Sequence, residues 1–271
     1  MSETAVNMQA PLTERNGNNV RWITLDREKQ RNPLSLHMLN SLIDALERAN
    51  EDPAVRAIVI AANGPVFSAG HDLREMSQRE GESRDSQLQR MRLILDTCSR
   101  MMLGIVNSPK AIIACVQGTA TAAGCQLVSA CDLAIAVETA SFCTPGVNMG
   151  GFCTTPLVGI GRNVHRKHAM AMALTGDSFS AEDAVRFGLI NECVPVDQLV
   201  ERTAALAERI AAKSAQGIRH GKADFYRQVD MPIEDAFAYA NDAMVRAMTS
   251  PDAEEGKAAF FEKRPPVWGD A

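Results

Sequence analysis

The sequence lacks the features of a disulfide-stabilised or nucleic-acid-binding protein. Its seven cysteines are an odd number and contain no C-x-x-C pair, so we expect reduced thiols and neither disulfides nor a metal site. The net charge of −5 provides no excess of basic residues for nucleic acid. Residues 1–19 have no apolar run and a single arginine, which argues against a secretory signal or a mitochondrial transit peptide and predicts a cytoplasmic protein.

The longest apolar run, residues 111–137, is interrupted by Gln117, Gln126, Asp132 and several glycines. These interruptions exclude a membrane span, which needs about 20 consecutive apolar residues. The run is better explained by four short elements. They are a strand, a tight loop, a helix and a second strand, at residues 112–116, 117–121, 123–131 and 133–137.

Small residues at 122–124, where the predicted loop meets the predicted helix, favour an anion or oxyanion site. The first turn of a helix leaves backbone N–H groups unpaired, and the helix dipole adds partial positive charge there. Without bulky side chains, a ligand can approach these groups. The same residues also suit close packing of a helix on a strand, so both interpretations stay open.

The chain is predicted to change character near Pro195. Before it, strands at 20–26 and 55–61 flank a helix capped by Ser35, which indicates an α/β fold. Residues 1–18 are polar and are predicted to lack regular structure. After it, the pattern predicts only amphipathic helices, at 197–213, 215–228 and 233–248 and from Ser250 onward. We therefore divide the chain into a core, 1–196, and a helical region, 197–271.

Two apolar stripes of the helical region have the same period, and the sequence does not show which surface each one covers. They are Leu199/Thr203/Leu206/Ile210 and Ile233/Phe237/Ala240/Met244. A stripe of this kind covers either the core of its own chain or a neighbouring subunit, and the period does not distinguish the two.

A loop at residues 63–76 follows a predicted strand and contains Gly70, His71 and Asp72. Ligands of α/β proteins bind near the carboxyl ends of strands. A lone histidine in a loop is more often structural than catalytic. The backbone N–H of His71, next to the flexible Gly70, is therefore a better candidate for a functional group than its imidazole.

Five segments in this order resemble those of the crotonase superfamily, the enoyl-CoA hydratase/isomerase family, over nearly the whole chain. They are Arg27–Leu36, Phe67–Leu73, Gly118–Asp132, Leu174–Leu189 and Phe260–Arg264. The resemblance implies a spiral of ββα units with a helical C-terminal region. It also implies a homo-oligomer, either a trimer or a dimer of trimers, and a role in fatty acid metabolism.

The same resemblance implies an acyl-CoA thioester as ligand, with coenzyme A as part of the substrate and no covalently bound cofactor. By position, the N–H groups of His71 and Ala123 would stabilise the enolate oxygen. The coenzyme A path would be lined by Ser68, Ala69, Asp72, Leu73 and Ala122. Lys29 and Lys263 would contact its phosphates, although most such lysines are solvated surface charges.

The sequence departs from the family where its hydratases carry two glutamates. Gln126 and Gly146 stand at these positions. The amide of Gln126 cannot take a proton from water at neutral pH, and Gly146 has no side chain. In this respect the chain resembles the branch of enoyl-CoA hydratase domain-containing proteins that lack the glutamate pair. A positive φ at Gly146 would by itself prevent a side chain there.

Three hypotheses about function follow. The first, which we favour, is an enzyme that uses the oxyanion site for decarboxylation, thioester hydrolysis or isomerisation. The groups that would assist it are His71, Cys125, Cys143 or Asn148. The second is a non-catalytic acyl-CoA binder or regulatory subunit. The third is a hydratase in which another carboxylate, such as Asp72, replaces the glutamates.

Overall fold

Two β-sheets form the centre of the protein in the computed structural model, which describes residues 10–269. The larger sheet contains, in order, β1 (Leu12–Gly17), β2 (Val20–Leu25), β3 (Ala57–Ala62), β5 (Ala111–Val116), β7 (Leu133–Val137) and β10 (Glu192–Val194). The smaller contains β4 (Val66–Ser68), β6 (Thr119–Thr121), β8 (Ser141–Cys143) and β9 (Ser178–Ser180). All neighbouring strands are parallel except the pairs β1–β2 and β8–β9.

Helices surround the two sheets. Within residues 10–269 they are α1 (Leu36–Glu51), α2 (Leu73–Met76), α3 (Arg84–Val106), α4 (Ala123–Ala130), α5 (Pro156–Asn163), α6 (Arg166–Thr175), α7 (Ala181–Phe187), α8 (Leu199–Ala211), α9 (Ala215–Gln228), α10 (Ile233–Met248) and α11 (Pro251–Glu262). Short 3-10 turns lie at Glu28–Gln30, Pro145–Met149 and Val196–Gln198.

The chain repeats one unit three times. A strand of the larger sheet is followed by a strand of the smaller sheet and then by a helix, as in β3–β4–α2, β5–β6–α4 and β7–β8–α5. The apolar strands β3 and β5 are buried on both faces, as is typical of parallel strands covered by helices. The structure thus confirms the α/β class and the spiral of ββα units.

Local capping signals in the sequence mark where helices begin and end. Ser35 accepts the N–H of Met38 at the start of α1, and Ser180 forms a capping box with Asp183 at the start of α7. Gly188 ends α7 in the left-handed conformation. These ends were predictable because each depends on a few neighbouring residues.

Three predictions about loops are wrong. The predicted loop at 63–76 contains β4 (Val66–Ser68) and α2 (Leu73–Met76). Residues 12–17, expected to be loose, form β1, because Asn18 and Asn19 both adopt positive φ in a two-residue hairpin turn that pairs β1 with β2. The predicted loop at 117–121 contains β6, since the stacked turns of the spiral pair its three residues with β4 and β8. Residues 1–9 lie outside the described part of the chain.

The first helix of the helical region packs on the core. α8 buries Leu199, Thr203, Leu206 and Ala207 against the larger sheet, so its stripe covers the core of its own chain. The chain therefore continues in one packed unit across 196/197, whereas α10 and α11 pack mainly on α9 and on each other.

A largely buried ion pair attaches α9 to the core. Lys222 Nζ donates to Asp132 Oδ2 at 2.7 Å and to the carbonyl oxygens of Ile105 and Lys110, and Tyr226 donates to the other carboxylate oxygen. The side chains of Lys222 and Asp132 are only 9% and 17% exposed. Each charge therefore depends on the other for compensation.

We expect Lys222→Met to lower the free energy of unfolding by about 3 kcal/mol or more, because it leaves the Asp132 carboxylate buried without its counter-charge. Urea denaturation measures this loss. The control is Asp230→Asn, which breaks the exposed pair with Arg162 and should change stability by less than about 0.5 kcal/mol. Equal losses in the two variants would contradict a special role for the buried pair.

Candidate functional site

The candidate site lies where the end of β4 and the β4–α2 loop, residues 69–72, meet the start of α4. Gly70, at the centre of this loop, is buried and has φ +83°. A Cβ atom on Gly70 would lie 2.9 Å from Thr121 O and 3.1 Å from Ala123 N. Only glycine permits both this backbone conformation and this approach. The contact places the Ala123 amide against the residue that precedes His71.

A second close contact, between Gly124 and Ser68, joins the start of α4 to the end of β4. A Cβ atom on Gly124 would lie 2.4 Å from Ser68 O and 2.8 Å from Ser68 Cβ. Contacts between real Cβ atoms and backbone oxygens do not occur at such distances, so a larger residue would push α4 away from the loop. The small residues that sequence reasoning assigned to either packing or an anion site are required for packing.

The backbone turns sharply into α4 at Ala122, which has φ +50° and ψ −114°. Such a conformation is costly for a residue other than glycine and is retained only where the surroundings enforce it. Ala122 N donates to Cys143 O at 2.9 Å, and Ala122 O accepts the N–H of Gln126 at 3.0 Å. Ala123 is therefore the first helical residue, with its amide free of an intrahelical partner.

His71 provides the second backbone N–H group of the candidate site. Leu34 and His71 form an isolated parallel bridge, and Leu34 N donates to Gly70 O at 2.8 Å. Among residues 10–269, neither His71 N–H nor Ala123 N–H donates to a backbone or side-chain acceptor. Two fixed, unpaired donors in a poorly hydrated setting are the arrangement that stabilises developing negative charge on an oxygen.

The His71 imidazole is neutral at pH 7, because burial lowers its pKa below the ordinary 6.5. Its Nε2 atom is buried and has no hydrogen-bond partner among the described residues. The ring therefore adds no fixed positive charge to the site. The imidazole can therefore take part only by donating or accepting a hydrogen bond as a neutral ring.

Comparison with known proteins identifies the family. The sequence pattern described as Enoyl-CoA hydratase/isomerase matches residues 15–271. A protein of Rattus norvegicus named "Enoyl-CoA hydratase domain-containing protein 3, mitochondrial" is 45% identical over 249 residues, which cover 92% of this chain and 81% of the rat protein. The chain belongs to the enoyl-CoA hydratase/isomerase family. The cytoplasmic localisation stays a prediction, since the name of the rat protein places that protein in mitochondria.

Solved structures of the family share the fold. A crystal structure of an enoyl-CoA hydratase of Mycobacterium smegmatis is 43% identical, with a TM-score of 0.89 over 96% of this chain and 99% of that one. The human enoyl-CoA hydratase domain-containing protein 3 is 41% identical, with a TM-score of 0.90 over 95% and 100% of the two chains. The membership and the fold implied by the five sequence segments are thus confirmed.

Gln126, at the predicted position of the first family glutamate, lies in the first turn of α4. Its residue is 7% exposed, and its Oε1 atom is buried with no partner among residues 10–269. A buried amide oxygen without a partner is costly, which suits a group that meets a ligand or a water molecule. The amide can orient such a molecule but cannot take its proton.

Gly146, at the predicted position of the second glutamate, is closed to side chains for a reason the sequence did not show. Its φ is not positive, so that explanation is wrong. A Cβ atom on Gly146 would lie 2.8 Å from Cys153 N, 2.9 Å from Phe152 C and 3.1 Å from Cys153 Sγ. The segment at residues 152–153 therefore fills the space that a glutamate side chain would need.

Residues expected to line the coenzyme A path differ in what they offer. Ser68 is fully buried, and its hydroxyl donates to Asn32 O at 2.9 Å and accepts from Gly70 N at 3.2 Å. This hydroxyl therefore holds the loop, and a contact of Ser68 with coenzyme A stays a prediction. Ala69 and Ala122 are partly exposed, and Leu73 is 54% exposed, so these three have surface available.

The charged residues of the prediction are accessible. Asp72 caps α2, with Oδ1 accepting the N–H of Arg74 at 2.9 Å, and its residue is half-buried. Lys29 is exposed in the 3-10 turn Glu28–Gln30, and Lys263 is exposed at the end of α11. Contacts of the two lysines with phosphate stay a prediction.

The buried candidate thiol, Cys125, is poorly activated. Burial raises the pKa of the Cys125 thiol far above its ordinary value and raises that of Cys153. Cys143 is partly exposed, with Sγ 3.5 Å from Thr121 Oγ1, and Asn148 approaches Gly176 O at 3.5 Å. Because nucleophilic attack requires a thiolate, neither Cys125 nor Cys153 is suited to it. Within residues 10–269 no three potential ligands cluster to hold a metal ion.

Sequence reasoning missed two components of this region. Nothing in the sequence indicated that Phe152 and Cys153 close the space beside Gly146, because only the fold brings them together. Asn32 had a signal, since it lies in the segment Arg27–Leu36, one of the five that resemble the family. The structure shows that its side chain is completely buried.

We expect Gly146→Ala to destabilise the protein by about 1–3 kcal/mol, because the added methyl group overlaps backbone atoms of residues 152 and 153. Gly151→Ala is the matched control. Its nearest neighbour would lie 3.7 Å away and its φ is not positive, so it should leave stability nearly unchanged. Thermal and urea unfolding measure the stability of both variants. A Gly146→Ala variant as stable as the control would contradict the conclusion that residues 152 and 153 leave no space for a side chain at position 146.

Proposed function

We propose that this protein binds acyl-CoA thioesters and holds the thioester oxygen between the N–H groups of His71 and Ala123. Membership of the enoyl-CoA hydratase/isomerase family supports the ligand class. The two unpaired amides, brought together by the contact of Gly70 with Ala123 N, support the position of the oxygen. The dipole of α4 adds partial positive charge at Ala123.

The reaction is one that forms an enolate without a pair of carboxylates. The observation that carries this conclusion is the closed wall at Gly146, together with an amide at Gln126. Decarboxylation satisfies it: the electron pair of the breaking C–C bond moves to the thioester oxygen, CO2 leaves, and the α-carbon later takes a proton from water. Isomerisation and thioester hydrolysis are the other reactions considered, and each needs a further proton-transfer group.

A non-catalytic acyl-CoA binder is the second candidate. It is favoured by the burial of the Cys125 thiol, which raises its pKa and so disfavours the thiolate that nucleophilic attack requires. A panel of malonyl-type, enoyl and saturated acyl-CoA thioesters separates the candidates. Release of CO2 or free thiol identifies an enzyme, whereas calorimetric binding without any product identifies a binder.

We expect the natural protein to hydrate crotonyl-CoA at least about 10²-fold more slowly than an ordinary hydratase of the family, because each missing acid–base group costs about 10²–10⁴ in rate. The measurement is the loss of enoyl absorbance, with both proteins assayed side by side. Gln126→Glu alone should restore little activity, since the position of the second carboxylate is closed at Gly146.

Hydration within tenfold of the reference hydratase would contradict this proposal. In that case Asp72→Asn identifies the substitute base, since it keeps an oxygen for the N–H of Arg74 while removing the titratable group. Loss of hydration in this variant would establish the third hypothesis, a hydratase that uses Asp72.

We also propose that the protein is a homo-oligomer, a trimer or a dimer of trimers. The apolar stripe of α10 is exposed, with Ile233 at 72% and Phe237 at 66%, and Phe260 and Phe261 on α11 are exposed by 77% and 79%. A groove of about 790 Å3 lies between α9, α10 and α11. Apolar surface of this extent on a single chain is typical of a subunit interface.

Light scattering at micromolar concentration should give three or six times the monomer mass. Phe237→Glu should lower this mass, because it places a charge in the apolar stripe of α10. Leu88→Glu, a comparably exposed apolar position on α3, is the control and should leave the mass unchanged. A monomer in the natural protein would refute the proposal.

A further inference from the structure

The segment at residues 31–34, which precedes α1, runs alongside the β4–α2 loop and is hydrogen-bonded to it. Ala69 N donates to Arg31 O at 3.0 Å, and Leu34 N donates to Gly70 O at 2.8 Å. These two bonds lie on either side of Asn32 and immediately before His71. The conformation of the loop that presents the His71 amide therefore depends on this segment.

The side chain of Asn32 fixes the segment in place. Its residue has no exposed surface, and its Oδ1 atom accepts the N–H of Arg27 at 2.9 Å. Its Nδ2 atom donates to Asn63 O at 2.9 Å and to Val66 O at 2.8 Å. Three bonds satisfy the buried amide, and two of them reach the corner between β3 and β4 that leads into the loop.

The backbone of Asn32 is connected to the site through Ser68. The Ser68 hydroxyl donates to Asn32 O and accepts from Gly70 N, while the Ser68 main chain lies against Gly124 at the start of α4. A shift of Asn32 is therefore transmitted to both elements of the site. Asn32 has φ +48°, a conformation that asparagine tolerates better than most residues.

We propose that Asn32 is a positioning residue that holds the β4–α2 loop so that the His71 N–H points at the thioester oxygen. This inference rests on the proposed function, since it assigns Asn32 a role in the same site. Asn32 has no exposed surface for a ligand and acts only through the loop. Displacing a catalytic donor by about 1 Å costs as much as about 10²-fold in rate, so the bonds of Asn32 affect chemistry more than binding.

The test uses a thioester whose colour reports the site without any turnover. 4-(Dimethylamino)cinnamoyl-CoA absorbs at longer wavelength when its carbonyl oxygen accepts hydrogen bonds, because these polarise the conjugated chain. Titration gives the dissociation constant, and the band position at saturation gives the polarisation of the carbonyl. Circular dichroism and thermal melting establish that each variant is folded.

Two variants weaken the connection by different means. Asn32→Asp keeps the size of the side chain but removes both N–H donors to Asn63 O and Val66 O. Ser68→Ala removes only the hydroxyl between Asn32 O and Gly70 N, and it serves if Asn32→Asp does not fold. The control is Asn63→Ala, which removes an exposed side-chain bond to Asp26 at the same corner and leaves the loop untouched.

We expect the natural protein and Asn63→Ala to shift the bound probe to longer wavelength by the same amount. In Asn32→Asp and Ser68→Ala the shift should fall by about half or more, while the dissociation constant stays within about threefold of the natural value. A residue with only a structural role would not lower the spectral shift while leaving the dissociation constant nearly unchanged.

Two results would overturn the inference. One is a full shift in folded Asn32→Asp or Ser68→Ala, which would show that the loop keeps its position without these bonds. The other is a loss of affinity and melting temperature with an unchanged shift at saturation, which would leave Asn32 a structural role only. A natural protein that binds no probe, or binds it without a shift, refutes the proposed function itself and with it this inference.

Discussion

The contact between the β4–α2 loop and the start of α4 is the constraint on which the site depends. Ser68 O would lie 2.4 Å from a Cβ atom on Gly124, and Ala123 N would lie 3.1 Å from one on Gly70. Two turns of the spiral can approach this closely only because residues 70 and 122–124 are glycine and alanine. Among the described residues, neither the His71 amide nor the Ala123 amide of this contact has a hydrogen-bond acceptor.

The two positions that the sequence resemblance assigns to the family's glutamates differ in structure. Gln126 carries a buried amide whose oxygen has no partner among the described residues. Gly146 has no space for a side chain, because atoms of Phe152 and Cys153 lie where one would extend. Restoring two carboxylates therefore requires a rearranged backbone as well as new side chains, which is why we propose a reaction that needs neither.

The helices after Pro195 illustrate what an amphipathic period does and does not specify. The stripe on α8 is buried against the larger sheet, whereas Ile233 and Phe237 of the α10 stripe are exposed. Both stripes have the same spacing, so the period predicted the helices but not their partners. The pair of Lys222 and Asp132 decides the placement of α9, and it joins residues that lie far apart in the sequence.

The sequence by itself determined most of the helices, several of their caps, the buried strands and the family, because these follow from neighbouring residues, local periods and short motifs. The hairpin at Asn18 and Asn19 was within its reach and was missed. Only the tertiary structure decided which groups meet. The bonds of Asn32 to Asn63 and Val66, the buried hydroxyl of Ser68 and the wall at Gly146 join distant segments. Such contacts depend on how the turns of the spiral stack, and no local pattern records that stacking.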